Sequence, residues 1–120
     1  MNLLEKSKIN AQSWLTPAFD AATQETVRQL LEGNPEELIE CFHKNLEFGT
    51  GGMRGIMGIG TNRMNRYTLG KNTQGLSNYL KKVYPNEQVR VAIAYDCRHN
   101  SQEFAKIVAD VFSANGIKVF

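Results

Sequence analysis

The last third of the chain most constrains the fold, because it has the order strand, helix, strand within roughly 30 residues. Residues 89–95, VRVAIAY, are rich in β-branched side chains and predict a strand that is buried on at least one face. Residues 101–115 predict a helix with Asn100 as its N-cap, and residues 117–120 begin a second strand. This order favours parallel pairing of the two strands and an α/β fold.

The predicted helix between these strands ends at Asn115-Gly116, and Glu103 is placed to reach back to the cap at Asn100. Five apolar residues recur at helical spacing and form its predicted buried face. They are Phe104, Ile107, Val108, Val111 and Phe112.

Residues 1–45 predict a helical N-terminal extension. Asn34-Pro35-Glu36-Glu37 places an N-cap, a proline at the first helical position and an acidic residue at the third. Gly33 is placed to end the preceding helix, and Trp14 predicts a loop with one anchoring aromatic.

A further helix is predicted to begin at about Arg66 and to stop at Tyr84-Pro85-Asn86. Its apolar residues at helical spacing are Leu76, Tyr79, Leu80 and Val83.

Charge and composition exclude several classes of function. The net charge is +2, with 14 basic and 12 acidic residues, which does not indicate a nucleic-acid partner. No apolar run approaches the roughly 20 residues that span a bilayer, so no membrane partner is expected. Cys41 and Cys97 lack metal-type spacing and are expected to be free thiols. These features predict a soluble cytoplasmic protein.

Six of the ten glycines lie in the twelve positions from Gly49 to Gly60, around a single arginine at position 54. Glycine costs roughly 0.5–1 kcal/mol relative to alanine in a regular element, so this density indicates a sharp turn or a close approach. A Walker loop is excluded because Gly70-Lys71 is followed by asparagine. The dinucleotide fingerprint fails because its third glycine is replaced by Arg54 or Arg63.

The stretch GTGGMRG at residues 49–55 is more typical of an anion-binding loop than of a nucleotide-binding motif. Successive glycines let backbone N–H groups turn toward one anion. Arg54 adds a charged fork for phosphate oxygens, and Thr50 adds a hydroxyl donor. The alternative is a β-turn or bulge in which the glycines only occupy positions with positive φ angles and Arg54 lies on the surface.

A second group of polar residues follows the first predicted strand, where open α/β sheets place their ligand sites. Asp96 and Arg98 are spaced to point the same way as the chain leaves the strand. The pair can equally serve only to fix the loop. His99 is a candidate acid–base group, although a lone histidine beside a helix cap is more often structural.

These two stretches resemble the α-D-phosphohexomutase superfamily, which holds the phosphoglucomutases and phosphomannomutases. FGTGGMRG at residues 48–55 is similar to the family's opening signature, and Tyr95-Asp96-Cys97-Arg98 to its Asp-x-Arg strand end. Three further stretches resemble the branch that includes phosphopentomutase-type enzymes. They are Asn62-Arg63-Met64-Asn65, Thr73-Gln74-Gly75-Leu76 and Arg98-His99-Asn100-Ser101.

The resemblance implies a four-domain parent, of which residues 46–120 are the first part of domain I, cut before the phosphoserine loop. That domain is an α/β sandwich with a mixed sheet between helices, so we expect a partial three-layer sandwich. The family moves phosphate between the 1- and 6-positions of a hexose phosphate, through a phosphoserine with Mg²⁺ beside it and a bisphosphate intermediate.

The resemblance also implies roles for residues of this chain. Arg54 lies beside the phosphoserine and Thr50 close to it, while Asp96 and Arg98 support the loop; no catalytic role is carried over to His99. The phosphate-loop backbone would come from Gly49, Gly51, Gly52 and Gly55.

The chain also departs from the family's pattern. It lacks the Thr-Ala-Ser-His-Asn-Pro nucleophile stretch and the Asp-x-Asp-x-Asp metal loop, and the sugar-binding loops come from later domains. We therefore expect a sugar phosphate substrate and Mg²⁺ for the parent, and neither activity nor a bound metal for this chain alone.

The chain stops at the start of a strand without a cap or polar tail, which predicts a fragment; a short terminal strand is the alternative. An unfinished sheet leaves an open edge that favours self-association. Two other functions stay open. One is a non-catalytic α/β half-domain that binds phosphate or a partner, and the other is an unrelated nucleotide-binding module.

Overall fold

The computed structural model describes residues 2–46, 48–49, 52–53, 56–94 and 101–120. The chain falls into two compact units, Met1–Asn65 and Arg66–Phe120. No helix among the described residues is long and apolar enough to cross a membrane.

The first unit begins with three helices, which lie within the residues 1–45 that the sequence predicts to be helical. They are α1 (Leu3–Gln12), α2 (Ala21–Glu32) and α3 (Pro35–Phe42). Asn2, Asp20 and Asn34 cap them in turn, and the Asn34 side chain accepts a hydrogen bond from the Glu36 N–H at 2.9 Å. Gly33 follows the last residue of α2. The predicted cap at Asn34 and the predicted stop at Gly33 are therefore confirmed.

The core of the first unit forms where α1 and α2 pack against α3. Val27, Leu38 and Phe42 are at most 1% exposed. Trp14 stacks on Phe19 with ring centroids 4.5 Å apart and meets Phe42 edge-on at 5.4 Å. Such aromatic pairs contribute about 0.5–1.5 kcal/mol beyond their buried area, so Trp14 anchors its loop as predicted.

Two short strands follow the helices. β1 (Phe48–Gly49) pairs with β2 (Gly52–Met53) in antiparallel fashion, with Phe48 opposite Met53 and Gly49 opposite Gly52. Part of the glycine-rich stretch is therefore paired backbone.

The second unit carries the predicted strand–helix–strand order after a long helix. Its elements are α4 (Arg66–Val83), β3 (Arg90–Val91), α5 (Ser101–Ala114) and β4 (Lys118–Val119). The two strands are parallel neighbours, with Arg90 opposite Lys118 and Val91 opposite Val119, and α5 lies between them in sequence. The α/β class and the parallel pairing are confirmed.

The first of these strands is shorter than the predicted range 89–95. Only Arg90 and Val91 form it, and residues 92–94 are not part of a strand. One more bond, from the Ile93 N–H to the Phe120 carbonyl at 2.9 Å, closes the ladder at the chain end. The described antiparallel and parallel pairs form two separate sheets.

Helix α5 ends in a local hydrogen-bonded motif. Gly116 has φ of +75°, its N–H donates to the Ser113 carbonyl at 3.0 Å, and the Ile117 N–H donates to the Phe112 carbonyl at 3.0 Å. This is the Schellman pattern, and Ile117 and Phe112 are both buried, as its apolar contact requires. Of the five residues predicted to form the buried face of α5, Phe112 is buried and the other four are half-buried.

Helix α4 buries a different face from the one its apolar spacing indicates. Leu76, Tyr79 and Val83 are exposed by 38%, 61% and 45%, and Leu80 is half-buried. The buried positions are Thr68, Leu69, Thr73 and Ser77. Thr73 and Ser77 can be buried because each hydroxyl donates to the carbonyl four residues earlier, at 2.7 and 2.8 Å.

Candidate functional site

The predicted site residues fall largely outside the described residues. Gly49 and Gly52 face each other across the β1–β2 pair. The remaining predicted positions lie outside the described residues, as does the predicted cap at Asn100. They are Thr50, Gly51, Arg54, Gly55, Asp96, Arg98 and His99.

The residues that follow the glycine-rich stretch form a compact loop, residues 56–65, which we call the anchor loop. Its two ends pair with each other. The Met64 N–H donates to the Ile56 carbonyl at 2.8 Å, and the Gly58 N–H donates to the Met64 carbonyl at 3.0 Å. These bonds close the loop on itself immediately before α4.

Asn65 lies inside the anchor loop and is 8% exposed. Its side-chain Nδ2 lies 2.8 Å from the Gly58 carbonyl, 3.0 Å from the Gly60 carbonyl and 3.4 Å from the Arg63 carbonyl. Carbonyl oxygens only accept hydrogen bonds, so these neighbours require the donor nitrogen of the amide to face them. One side chain therefore joins three points of the loop backbone.

Hydrogen bonds of the anchor loop hold the two residues that flank the segment 47–55. On the N-terminal side, the N–H of buried Leu46 donates to the Thr61 carbonyl at 2.7 Å. On the C-terminal side, Ile56 is the first residue of the anchor loop and accepts from the Met64 N–H at 2.8 Å.

The anchor loop is fastened in turn to the C-terminal end of α3. The Asn62 N–H donates to the Cys41 carbonyl at 2.9 Å, and the Asn62 Nδ2 donates to the Glu40 carbonyl at 3.1 Å. A helix leaves its last four carbonyls without partners inside the helix. Asn62 supplies donors to two of them.

The other two carbonyls of α3 are also paired. The Asn10 Nδ2 donates to the Phe42 carbonyl at 2.7 Å. The Ile39 carbonyl accepts from the His43 N–H at 2.9 Å and lies 2.7 Å from the His43 Nδ1. The last four carbonyls of α3 are therefore all hydrogen-bonded, and this end of the helix holds the anchor loop.

Gly60 makes the approach of the anchor loop to α3 possible. Its φ is +135°, and a Cβ at this position would lie 2.4 Å from the Cys41 carbonyl oxygen and 2.9 Å from the Cys41 Cβ. No larger residue fits this contact without displacement of backbone. At least this glycine of the run is required by packing.

Cys41 is a free thiol beneath this contact, as predicted, and it is 8% exposed. Burial raises the pKa of the Cys41 thiol, and the nearby Arg63 guanidinium opposes that rise. Arg63 also forms an ion pair with Glu40 at 3.6 Å. Because the thiolate is the reactive form, a buried thiol with a raised pKa is a packing residue and not a nucleophile at neutral pH.

Among the described residues, no three His, Cys, Asp or Glu side chains are grouped so that they could hold a metal ion.

Comparison with known proteins identifies the family. The sequence model described as "Phosphoglucomutase/phosphomannomutase, alpha/beta/alpha domain I" matches residues 45–120. The chain belongs to this family.

Curated relatives match over most of this chain. It is 39% identical over 115 residues to a protein named phosphopentomutase from Homo sapiens, an alignment that covers 89% of this chain and 19% of the relative. It is 35% identical over 112 residues to a protein named phosphoglucomutase from Staphylococcus aureus (strain MRSA252), which covers 93% of this chain and 19% of the relative. The chain thus spans about a fifth of the length of these relatives. No solved structure matches the chain significantly.

From the sequence, the stretch Asn62-Arg63-Met64-Asn65 is only a signature of the family, with no predicted role. The structure shows that both asparagines bond backbone carbonyls, Asn62 on α3 and Asn65 within the loop. The available signal was two amide side chains in a glycine-rich loop, since such side chains commonly bond nearby backbone groups. Which carbonyls they reach depends on tertiary contacts that spacing does not reveal.

Proposed function

We propose that this chain is the first part of a phosphohexomutase that interconverts the 1- and 6-phosphates of glucose or mannose. In this proposal a phosphoserine elsewhere in the parent gives its phosphate to the sugar and forms a bisphosphate intermediate. The observation that carries the proposal is the family match over residues 45–120, because that range contains both predicted site stretches. The identity to proteins named phosphoglucomutase and phosphopentomutase supports the same class of reaction.

In this proposal the piece supplies the phosphate side of the site. Phosphoryl transfer requires mainly positioning and stabilisation of charge on the transferring oxygens. Arg54 would offer a bidentate, permanently charged fork to those oxygens, and Thr50 would add a hydroxyl donor. Backbone N–H groups of the glycines would contribute donors that need no reorganisation during the reaction.

Asp96 and Arg98 would support the phosphate loop and not react themselves. They follow β3 in the sequence, β3 is parallel to β4, and open α/β folds bind ligands beyond the carboxyl ends of their parallel strands. Support by this pair is part of the proposal, as are the partial three-layer sandwich, its mixed sheet and the domain boundary at residues 45 and 46.

The test compares Arg54 variants of the full-length protein with wild type. Arg54→Lys keeps the charge but loses the bidentate fork, so turnover should fall. Arg54→Ala should lower turnover further, by about 10²–10³-fold, as expected for loss of one preorganised charge-stabilising donor. Unfolding free energy should shift by no more than about 0.5 kcal/mol if the side chain lies in an open cleft.

The assays should include glucose 1-phosphate, mannose 1-phosphate and ribose 1-phosphate, since the relatives carry both phosphoglucomutase and phosphopentomutase names. Loss of melting temperature with normal turnover per folded molecule would show that Arg54 is structural. Full-length protein that converts none of these sugars would favour the non-catalytic phosphate- or partner-binding alternative. Mg²⁺ dependence of the parent is part of the proposal and is checked by metal chelation in the same assay.

The isolated 120-residue chain should show no mutase activity, because it holds no serine in the nucleophile context. Conversion of glucose 1-phosphate by the purified chain, free of host enzyme, would contradict this expectation.

A further inference from the structure

We infer that Asn65 is a positioning residue of the proposed phosphate loop, which it shapes through the backbone of the anchor loop. The inference rests on the proposed function. It assigns a role in turnover to a side chain that lies outside residues 48–55 and that bonds backbone carbonyls of the anchor loop.

The anchor loop has an unusual backbone shape. Gly58 and Gly60 have φ angles of +154° and +135°, which residues other than glycine rarely adopt. Such a backbone has little preference of its own for one conformation. The two short bonds from the Asn65 amide to the carbonyls of these glycines therefore select the observed conformation.

The anchor loop is adjacent to the proposed phosphate loop in the chain. The nine residues 47–55 start after Leu46, which bonds Thr61 of the anchor loop, and stop before Ile56, the first residue of the anchor loop, which bonds Met64. Thr61 and Met64 lie between Gly60 and Asn65 in sequence, so we expect the points that hold the phosphate loop to shift if the Asn65 bonds are lost. Arg54 is two residues from Ile56.

Burial limits what can replace the Asn65 amide. Asn65 is 8% exposed and its bond to the Gly60 carbonyl is buried, so water has little access to replace the amide there. Removing the side chain would take this donor from a buried carbonyl, and the loop would relax toward other conformations. A misplacement of about 1 Å at a catalytic group can cost about 10²-fold in rate, so a displaced loop should be visible in kcat.

The experiment uses the full-length protein and compares Asn65→Ala with a matched control, Gln24→Ala. Gln24 also donates a side-chain amide to backbone carbonyls of a loop, those of Thr16 at 3.0 Å and Phe19 at 2.8 Å, but this loop lies between α1 and α2 and is not the anchor loop. Asn65→Ala should lower kcat per folded molecule by about 10- to 100-fold with a smaller change in KM. Gln24→Ala should keep kcat within about twofold of wild type while lowering the melting temperature.

A double-mutant cycle with Arg54→Ala distinguishes positioning from general destabilisation. If Asn65 acts by placing Arg54, Asn65→Ala should change kcat by no more than about twofold once Arg54 is already alanine, because interacting residues are not additive. Asn65→Ser keeps one hydroxyl donor and should recover part of kcat. This variant also serves as the test if Asn65→Ala does not fold.

Three outcomes would overturn the assignment. Asn65→Ala and Asn65→Ser could both retain wild-type kcat per folded molecule, or the effects of Asn65→Ala and Arg54→Ala could multiply in full. In either case the proposed function would stand and the positioning role would fail. Wild-type protein without mutase activity would instead overturn the proposed function and, with it, this assignment.

Discussion

The last backbone carbonyls of α3 and of α5 accept hydrogen bonds from different kinds of donor, distant in sequence at α3 and local at α5. At α5 the partners all lie within residues 112–117, and Gly116 and Ile117 supply both N–H donors of a Schellman motif. At α3 the residue after the helix, His43, keeps helical angles, and three of the donors come from residues distant in sequence. The Asn10 side chain bonds the Phe42 carbonyl, and Asn62 bonds Glu40 through its side chain and Cys41 through its N–H. A helix end finished by remote donors also fixes the position of the segments that carry them. A helix end finished locally needs no distant donor for its last carbonyls.

The largest expected effect is at Gly60, where the anchor loop meets α3. Gly60→Ala would place a Cβ 2.4 Å from the Cys41 carbonyl oxygen at a φ of +135°. Overpacking and the unfavourable φ together should lower the free energy of unfolding by about 2–5 kcal/mol. Urea denaturation of the 120-residue chain measures this loss.

Gly75→Ala is the matched control, because Gly75 lies within α4 and a Cβ there meets nothing within 4 Å. Alanine should stabilise a helix interior by about 0.5–1 kcal/mol relative to glycine. If Gly60→Ala were no more costly than Gly75→Ala, the close approach to α3 would not contribute to stability.

The next effect in size is at Gly116, the local end of α5. An added Cβ at Gly116 meets nothing within 4 Å, so the cost of Gly116→Ala comes only from its φ of +75° and should be about 1–2 kcal/mol. Gly116→Asn should recover part of this loss, because asparagine tolerates the left-handed conformation better than alanine. Denaturation curves of both variants check the order. Equal losses for alanine and asparagine would show that backbone strain is not the cause.

The same contrast explains what the sequence could predict. The caps at Asn34 and Gly116 were predictable because the residue and its partners are close in sequence. The parallel pairing of β3 and β4 followed from the order of elements and the connection between them.

Three features were not predictable, and each depends on contacts distant in sequence. The buried face of α4 is lined by Thr73 and Ser77, whose hydroxyls bond the helix backbone, while apolar Tyr79 is exposed. The length of β3 depends on its partner strand. The role of Asn62 depends on the position of α3, which no spacing within the loop encodes.

For the candidate site, residue type and spacing predicted the phosphate loop and the Asp96–Arg98 pair, and these roles stay predictions. The anchor loop, which follows the predicted phosphate loop in the chain, was not predicted. The hydrogen bonds that define it connect Leu46 with Thr61 and Ile56 with Met64, which are 15 and eight positions apart in the chain. Each bond is backbone to backbone, so the side chains at these positions carry little signal of it.

The smallest expected effect is at Asn62, one of the remote donors that complete α3. Asn62→Ala removes the 3.1 Å bond to the Glu40 carbonyl but leaves the backbone bond from Asn62 to Cys41. Glu40 is exposed, so water can replace the lost donor, and the loss of unfolding free energy should lie at the lower end for a net hydrogen bond, about 0.5–1 kcal/mol.

The control is Asn78→Ala on the exposed surface of α4, where the asparagine accepts from the Gln74 side chain at 2.9 Å and alanine favours the helix. Denaturation should show a loss for Asn62→Ala and none for Asn78→Ala. A loss at Asn62 larger than that of Gly116→Ala would reverse the order, and would mean that the remote end of α3 contributes more to stability than the local end of α5.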